Sequence, residues 1–444
     1  MLTTGKTVAI IGSGGREAAL AWRLAQSSQV SKILRIPGNA ETIDRSENIP
    51  FVVQDPATKV WDFRGLGGLL AYHNVDMTVV GPEAFLAAGG VDHLNANGNW
   101  RVVGPTQRAA RLEADKFFSY DVMTELGIPQ ANSAKCQDVD SARRAIDEKA
   151  SLEGVVLKAR GLHEGKGVQV FDSKEAALVG LEAFVGRFGS ELLVSERLSG
   201  QEYTVIGISD GNKTYPMRVA IQDHKPLLDG DRGPNTGGMG IYAPASFVTP
   251  EIMEQTVGML NKVVGRMYSR GGPYKGFLYA GMMLTKEGPK VLEFNARMGD
   301  PECQALMMLL DSDPYNVFSM ALGAWKGEDG KGAIGFKPGA VCGVVLAAQG
   351  YPGPVTKGTT FYGVEEANRI SGAHVFHAGT ALKPWGETNL VVTHGGRVLL
   401  ASGYSAEGLA NAREIAYQAA DLIAGKTGEG VFQYRKDIGL KGLE

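Results

Sequence analysis

Glu293, Asn295 and Arg297 alternate with apolar residues in the run Leu-Glu-Phe-Asn-Ala-Arg at positions 292–297. Alternate side chains of a strand project from the same face, so we expect these three polar groups to lie together on one side of a strand. Carboxylate and carboxamide oxygens suit Mg²⁺, and a guanidinium beside them suits a phosphate or the charge that develops during phosphoryl transfer. The run therefore predicts the metal and phosphate centre of a nucleotide-dependent active site. An edge strand that shows polar residues to water is the alternative that this run alone leaves open.

A glycine-rich run, Gly-Pro-Asn-Thr-Gly-Gly-Met-Gly at positions 233–240, precedes this strand in the chain. The chain contains 60 glycines. Where glycines cluster, the backbone turns sharply or approaches a ligand closely, because no side chain stands in the way. The run therefore predicts backbone that lies against a bound ligand.

A second glycine-rich loop, at positions 159–167, lies between the strand-like runs 155–158 and 168–171. Its Gly-Lys-Gly at 165–167 is similar to part of a Walker loop, but the spaced first glycine and the Ser or Thr after the lysine are missing. A mobile flap that folds its amides over ATP phosphates fits better, with Lys158 reaching the α or β phosphate from the preceding strand. A surface hairpin with an exposed lysine is the alternative, and the loop taken alone favours it.

Length and composition describe an ordinary soluble globular protein. A chain of 444 residues exceeds what one core usually serves, so we expect about two to four compact units, and 44% of the residues are hydrophobic. The net charge of −3 provides no basic field for nucleic acid and no polybasic patch for a membrane. Neither a signal-peptide-like leading segment nor a membrane-spanning stretch is found, so we expect a cytoplasmic protein. Cys136, Cys303 and Cys342 lie far apart and predict neither a disulfide framework nor a structural zinc site.

The amino-terminal part of the chain predicts alternating strands and helices. Positions 7–11 are β-branched and apolar, glycines follow, and positions 16–25 have the apolar spacing of a helix. Positions 76–80 predict a further parallel strand with a loop at its carboxyl end, which indicates a doubly wound α/β unit. A dinucleotide fingerprint is disfavoured, because Glu17 stands where its third glycine belongs. A phosphorylated sugar held by the same loop fits better.

The chain as a whole divides into four predicted regions. A Gly- and Lys-rich stretch at 325–338 is predicted to be a linker. The predicted regions are 1–104 (an amino-terminal α/β domain), 105–193 (a linking helix and a first subdomain with the flap), 194–330 (a second subdomain with the metal site) and 331–444 (a carboxy-terminal α+β domain).

Several longer motifs occur along the chain in a characteristic order. They are Ile-Gly-Ser-Gly-Gly-Arg-Glu (11–17), Pro-Gly-Asn-Ala (37–40), Val-Val-Gly-Pro-Glu-Ala (79–84), Gly-Pro-Thr (104–106), Gln-Asp-His-Lys (222–225), the run at 233–240, Leu-Glu-Phe-Asn-Ala-Arg-Met-Gly-Asp-Pro-Glu (292–302), Phe-His-Ala-Gly-Thr (376–380) and Tyr-Arg-Lys-Asp-Ile-Gly (434–439). Through these motifs the chain resembles the phosphoribosylamine–glycine ligase family, also called glycinamide ribonucleotide synthetases, within the ATP-grasp superfamily. The resemblance extends over nearly the whole chain, from residue 10 to residue 439.

The resemblance implies a multidomain fold of the α/β and α+β classes, with a doubly wound parallel-sheet domain, two ATP-grasp subdomains and a carboxy-terminal α+β domain. It also implies an ADP-forming ligation in purine synthesis. ATP phosphorylates the glycine carboxylate, which is otherwise too poor an electrophile, and the amine of 5-phosphoribosylamine attacks the acyl phosphate to give glycinamide ribonucleotide. The implied cofactors are ATP and Mg²⁺ or Mn²⁺, the implied partners are small molecules, and the protein is expected to be a monomer or homodimer.

The resemblance assigns roles to individual positions. The residues expected to bind ATP are Lys116, Lys158, Gly165, Lys166, Gly167, Glu196, Leu198 and Glu202. Glu293 and Asn295 are expected to hold the metal, and Arg297 to stabilise the transferring phosphoryl group. The residues expected to line the pocket for glycine and the amine are Asp223, Lys225, Asn235, Gly237 and Gly238, together with backbone amides from Gly237 to Met239. The residues expected on the phosphoribosyl side are Gly14, Gly15, Arg16, Glu17, Asn39, Pro82 and Glu83.

The chain departs from the family pattern at several of the ligand-facing positions. Ala18 replaces a histidine and Glu41 a glycine in the loops expected to face the phosphoribosyl group, where a carboxylate repels a phosphate unless it points to solvent. Ser195 replaces a glutamate of the adenine site, while Asp115 and Arg160 replace a serine and an aspartate near the ATP lysines. A divergent ligase of the same family for a different amine or amino acid is therefore the alternative function. A catalytically silent relative is disfavoured by the intact metal and phosphate residues.

Overall fold

The computed structural model describes residues 5–98, 101–163 and 166–443. Its amino-terminal region contains β1 (Lys6–Gly12), α1 (Gly15–Leu24), β2 (Val30–Pro37), β3 (Ser46–Asn48), α2 (Phe63–Tyr72), β4 (Met77–Val80), α3 (Glu83–Ala87), α4 (Gly90–Gly98) and β5 (Val102–Val103). The strands form a parallel sheet in the order β3–β2–β1–β4–β5. Both faces of β1 are buried, since Val8 and Ile10 pack with α1, and Ala9 and Ile11 with α2 and α4. This explains why its apolar run does not alternate, and it confirms the predicted doubly wound unit.

The second region is a small sheet covered by helices. It contains α5 (Gln107–Ala114), α6 (Lys116–Glu125), β6 (Ser133–Cys136), α7 (Val139–Lys149), β7 (Val155–Ala159), β8 (Val168–Phe171), α8 (Lys174–Phe188) and β9 (Leu192–Glu196). Its strands pair antiparallel in the order β6–β9–β7–β8, and Ile146, Leu181 and Phe184 of the two longer helices pack in its core. Each of these helices begins at a side chain that accepts a backbone N–H, Asp138 for α7 and Ser173 for α8.

Most of the remaining strands form one continuous antiparallel sheet. The remaining elements are β10 (Gln201–Asp210), β11 (Thr214–Asp223), β12 (Pro226–Leu228), β13 (Arg232–Asn235), β14 (Gly240–Ala243), α9 (Pro250–Ser269), β15 (Lys275–Thr285), β16 (Gly288–Asn295), α10 (Glu302–Leu309), α11 (Pro314–Ser319), β17 (Ala340–Ala348), α12 (Val364–Ala367), β18 (Ala373–His377), β19 (Thr380–Trp385), β20 (Thr388–Thr393), β21 (Arg397–Ser405), α13 (Leu409–Thr427) and β22 (Phe432–Gln433), with 3₁₀ turns at Met320–Leu322 and Leu440–Gly442. The sheet runs β16–β15–β10–β11–β14–β17–β21–β18, while β12–β13 and β19–β20 form separate two-stranded sheets. Because β14 pairs with β11 and with β17, the sheet crosses from the predicted third region into the fourth.

The strand predicted at 292–297 differs from the observed β16. The pairing of β16 with β15 shifts register so that Gly281 faces Glu293 while Met282 faces Val291, which leaves Leu292 as an extra residue in a bulge. The strand then ends at Asn295, because the amide of the next residue donates to a side-chain carboxylate instead of a neighbouring strand. The prediction that Arg297 projects from the same strand is therefore wrong, whereas Glu293 and Asn295 do lie on it.

The helices of the described residues are all too short or too polar to traverse a lipid bilayer. The stretch at 325–338, predicted to be a linker, contains no regular helix or strand in the structure. It lies between the 3₁₀ turn Met320–Leu322 and β17, so it connects the two halves of the continuous sheet.

Candidate functional site

A cavity between α6, β7, β9 and β16, which we call the first cavity, gathers four of the residues predicted from the sequence. Lys116 is the first residue of α6 and Lys158 lies on β7. Glu293 and Asn295 are contributed by the end of β16. Two cations and two oxygen ligands from distant parts of the chain thus face one space.

Glu293 and Asn295 form the part of this cavity that fits a divalent metal. The Nδ2 of Asn295 donates to Oε1 of Glu293 at 3.4 Å. Burial favours a raised pKa for the Glu293 carboxyl, but Lys116, Lys225 and Lys158 together hold that pKa below its usual value, so the group is ionised. The described residues contain no cluster of three or more His, Cys, Asp or Glu side chains that would enclose a metal alone. Mg²⁺ is commonly bound by one or two carboxylates plus substrate phosphates, so this donor set fits a metal that arrives with a nucleotide.

The bulge in β16 positions Lys158. The carbonyl of Leu292, the extra residue of the bulge, accepts from the Nζ of Lys158 at 3.0 Å. Burial lowers the pKa of Lys158, while Glu293 opposes that shift. The ammonium group is therefore held at the cavity wall, where it suits an anionic phosphate.

Three other residues predicted to bind ATP, Glu196, Leu198 and Glu202, do not line this cavity. Glu196 accepts a backbone N–H of the neighbouring segment, Glu202 pairs with Lys225, and Leu198 follows the end of β9. Their roles with adenine and ribose stay predictions. Ser195 does line the cavity, and its hydroxyl lies 2.7 Å from that of another serine on the paired strand β6.

Asp223, the last residue of β11, and Lys225, two residues later, form a charged cluster with Glu202. Burial disfavours the charged form of Lys225, but its ion pair with Glu202 raises the pKa well above the usual value. Burial and the nearby Glu302 raise the pKa of Asp223 to about 8. The Oδ1 of Asp223 is buried and has no partner among the described residues. A Cβ at Gly238 would lie 2.6 Å from that oxygen, so glycine is required there for the loop to pass the carboxylate.

The glycine-rich loop at 233–240 is held by the carboxy-terminal region. The amide of Gly237 donates to the hydroxyl of Tyr351 at 2.9 Å, and the Gly237 carbonyl accepts from Arg397. The amides of Gly238 and Met239 donate to groups of the adjacent backbone and side chains. The amides predicted to face an acyl phosphate are thus bonded within the protein in this conformation, and a ligand oxygen at Gly237 would replace the Tyr351 hydroxyl.

A larger cavity of about 300 Å³, the second cavity, is lined in part by this loop. It is lined by four predicted residues, Gly14, Lys166, Asn235 and Gly237. The predicted Gly165 lies outside the described residues, and Gly167 directly precedes β8.

Three further residues that line the second cavity were not predicted from the sequence: Asp300, Tyr351 and Arg397. Arg397 donates to the carbonyl of Asp300 at 2.5 Å and carries its charge into the cavity wall. Asp300 stands within the long motif at 292–302, which was the available signal. Tyr351 and Arg397 lie far along the chain with no spacing that relates them to the site.

Most of the residues predicted to bind the phosphoribosyl group form hydrogen bonds or ion pairs within the protein and do not line a cavity. Glu17 accepts from the amide of Gly14 and from Nε of Arg16, both at 2.6 Å. A Cβ on Gly15 would lie 2.5 Å from a neighbouring side chain, and Pro82 precedes α3. Asn39 donates to a backbone carbonyl of β18 at 2.7 Å. Of the predicted set, Gly14 is the residue that lines the second cavity.

Arg297 joins the amino-terminal region to the linking helices. Its guanidinium pairs with Glu83 at 3.2 Å and with Glu113 at 2.9 Å. Burial disfavours the charged form of Arg297, but the two carboxylates outweigh it and raise its pKa. In this conformation the side chain acts as a bridge, and the predicted contact with a phosphoryl group stays a prediction.

Ala18 and Glu41 do not lie where the sequence placed them. Ala18 is buried within α1, and Glu41 is also buried, so it points neither to solvent nor to a free phosphate site. The carboxylate of Glu41 accepts from the amide of His377 at 2.8 Å and lies 3.2 Å from Nε2 of His374. Both expectations are corrected, because Glu41 forms contacts between the amino- and carboxy-terminal regions. Because Glu41 is engaged in these contacts, we do not expect its carboxylate to repel a phosphate of the amine substrate.

Comparison with known proteins agrees with this geometry. Family models of phosphoribosylglycinamide synthetase match the chain in three parts: the N domain at residues 6–113, the ATP-grasp (A) domain at 114–303 and the C domain at 341–441. A phosphoribosylamine–glycine ligase from Pseudomonas aeruginosa is 42% identical over 98% of this chain and 98% of its own length. The trifunctional purine biosynthetic protein adenosine-3 of Gallus gallus is 41% identical over 98% of this chain, which spans 42% of that longer relative.

Solved structures show the same fold. The crystal structure of a phosphoribosylamine–glycine ligase from Thermotoga maritima matches with a TM-score of 0.77 and 30% identity, over 97% of this chain and 99% of that chain. The biotin carboxylase domain of the Hydrogenobacter thermophilus 2-oxoglutarate carboxylase, solved with MgADP, matches with a TM-score of 0.70 over 97% of this chain and 91% of that chain. At 16% identity this second likeness concerns the fold alone.

Proposed function

Because the chain belongs to the phosphoribosylglycinamide synthetase family, we propose that it is an ADP-forming ligase that joins glycine to 5-phosphoribosylamine and yields glycinamide ribonucleotide. The observation that carries the proposal is the convergence of Lys116, Lys158, Glu293 and Asn295 on the first cavity. Two cations and two oxygen ligands match what a nucleoside triphosphate and its divalent metal require.

The reaction has two bond-forming steps. First, an oxygen of the glycine carboxylate attacks the γ-phosphorus of ATP, the bond to the β–γ bridging oxygen breaks, and ADP leaves. Second, the amine nitrogen attacks the carbonyl carbon of the acyl phosphate, inorganic phosphate leaves, and the nitrogen loses a proton. Lys116 and Lys158 neutralise phosphate charge during the first step. Glu293 and Asn295 would hold a magnesium ion, which would supply further neutralisation.

The second cavity is the proposed site of the amine substrate. It adjoins the glycine-rich loop, and Lys166 and Arg397 give it positive charge that suits a phosphate. Asp300 offers a carboxylate that suits ribose hydroxyls. With about 300 Å³ of space, the cavity has the size expected of a small-molecule site.

The proposed function is tested by phosphate release from ATP and Mg²⁺. Glycine is supplied with freshly generated phosphoribosylamine, and then each is replaced in turn by other amino acids or amines. We expect turnover with the glycine and phosphoribosylamine pair and little with the replacements. Turnover with other partners alone contradicts the proposed substrates, and no turnover with any partner contradicts the proposed chemistry.

Asp223 gives a pH prediction for the second step. The departing proton needs an acceptor, and the unpartnered Oδ1 of Asp223 accepts it only when the carboxyl is ionised. Because the pKa is raised to about 8, the group is mostly protonated at pH 7, and kcat/KM for the amine should rise about tenfold per pH unit below 8 and level off above it.

The Asp223→Asn variant serves as the control for this pH profile. Ionisation of the substrates affects both proteins equally, so it cancels in the ratio of wild-type to variant kcat/KM. We expect that ratio to increase from pH 6 to pH 8. A ratio that is constant across this range shows that Asp223 is not the proton acceptor.

A further inference from the structure

Asp115 lies between α6 and the start of the loop that follows β7, and it binds both. Its Oδ1 accepts from the amides of Phe117 and Phe118 at 3.2 and 3.3 Å, which caps the first turn of α6. The same carboxylate accepts from Nε and Nη2 of Arg160, each at 3.1 Å, in a bidentate pair. The Asp115 side chain is only 14% exposed, so this pair is better shielded from solvent than an ordinary surface ion pair.

Arg160 is held by backbone and side-chain contacts on several sides. Its amide donates to the carbonyl of Glu191 at 3.0 Å, and its Nη1 donates to the Glu191 carboxylate at 2.8 Å. Its carbonyl accepts from the amide of Lys116 at 2.9 Å. Its guanidinium lies over the ring of Phe117, 5.0 Å from the centroid. The residue that follows β7 is therefore attached directly to the residue that begins α6.

Both sides of this junction carry a lysine of the first cavity. Lys116 follows Asp115 in α6, and Lys158 lies two positions before Arg160 on β7. The separation of the two ammonium groups therefore depends on how the start of α6 is held against the end of β7.

We propose that Asp115 and Arg160 are paired positioning residues that fix Lys116 relative to Lys158 and so set the affinity for the nucleotide phosphates. This inference rests on the proposed function in taking the first cavity as the nucleotide site. Neither side chain needs to touch the nucleotide, because each acts through the backbone that carries a phosphate-binding lysine.

The test compares two single variants with their double. Asp115→Ser keeps a side chain that caps a helix but loses the ion pair, and Arg160→Met keeps an extended side chain without charge. Each is expected to raise the Kd for Mg-ATP about tenfold, with kcat changed less than about twofold. The double variant should bind Mg-ATP no more weakly than the weaker-binding of the two single variants, because both substitutions remove the same ion pair.

Arg111→Met is the matched control. The exposed Arg111 side chain also donates to the Asp115 carboxylate, at 3.1 Å, but it does not connect α6 to the residue that follows β7. We expect its Kd to stay within about twofold of wild type. The Kd is measured by calorimetric titration with Mg-ATP in the absence of glycine and amine. Nucleotide binding without amide formation would contradict the proposed function and leave this result intact.

Three outcomes would overturn the inference. The single variants could leave the Kd unchanged, the double variant could show the product of the two single effects, or Arg111→Met could weaken binding as much as Arg160→Met. The free energy of unfolding is measured for each variant, and a rise in Kd explained by the unfolded fraction alone also counts against the pair.

Discussion

Glu293→Gln is expected to lower kcat by about 100-fold or more at ordinary Mg²⁺ concentrations. The amide keeps the shape of the side chain but removes the charge that Asn295 and the cavity lysines surround. Without that charge, a divalent metal held by Glu293 and Asn295 would lose its carboxylate ligand, and the phosphates would lose part of their alignment. Turnover is measured by phosphate release across a series of Mg²⁺ concentrations.

The matched control is Glu287→Gln, in the turn before the same strand, where the carboxylate is exposed and pairs with Lys290. We expect wild-type kcat from this control and a free energy of unfolding within about 1 kcal/mol of wild type for both variants. Ordinary turnover by Glu293→Gln would contradict its role as a metal ligand. A large loss of stability would show that the side chain serves the fold instead.

Arg297→Met is expected to lower the free energy of unfolding by about 3–5 kcal/mol. The change leaves the carboxylates of Glu83 and Glu113 without their shared cation, and Glu113 is almost completely buried. Burial alone already raises the pKa of Glu113, so the loss of Arg297 should drive that group to take up a proton. Stability is measured by urea denaturation at pH 7.

A second variant separates the bridge from a catalytic role. In the double variant Arg297→Met with Glu113→Gln, the buried charge is removed together with its partner, and we expect about half of the lost stability to return. If Arg297 contacts the transferring phosphoryl group as well, the double variant stays inactive despite its regained stability. Single-variant stability within about 1 kcal/mol of wild type would contradict the bridge.

Local sequence patterns predicted the helices and strands that are determined by the periodicity of their own side chains. The apolar run of β1, the helical spacing of α1 and the paired runs of β7 and β8 lie close to their predicted positions, because side-chain periodicity reflects which faces are buried. Glu293 and Asn295 were predicted from the motif at 292–302, Lys158 from the glycine-rich loop after its strand, and Lys116 from the family resemblance. The structure brings all four to the first cavity.

Features that depend on distant pairing were not predictable. The bulge at Leu292 arises from a register shift against β15, and no residue type in the run indicates it. Arg397 and Tyr351 reach the glycine-rich loop only because β14 and β17 are neighbours. Glu41 was misplaced for the same reason, since its partner His377 lies on β18, far along the chain.

The pairing of β14 with β17 also determines whether this protein can be shortened to a functional fragment. A fragment that stopped before residue 340 would leave β14 with a row of free amides and carbonyls directly after the glycine-rich loop at 233–240. Such an open edge invites self-association, and it would also free the loop from Tyr351 and Arg397. The nucleotide-binding half is therefore not separable as a working module.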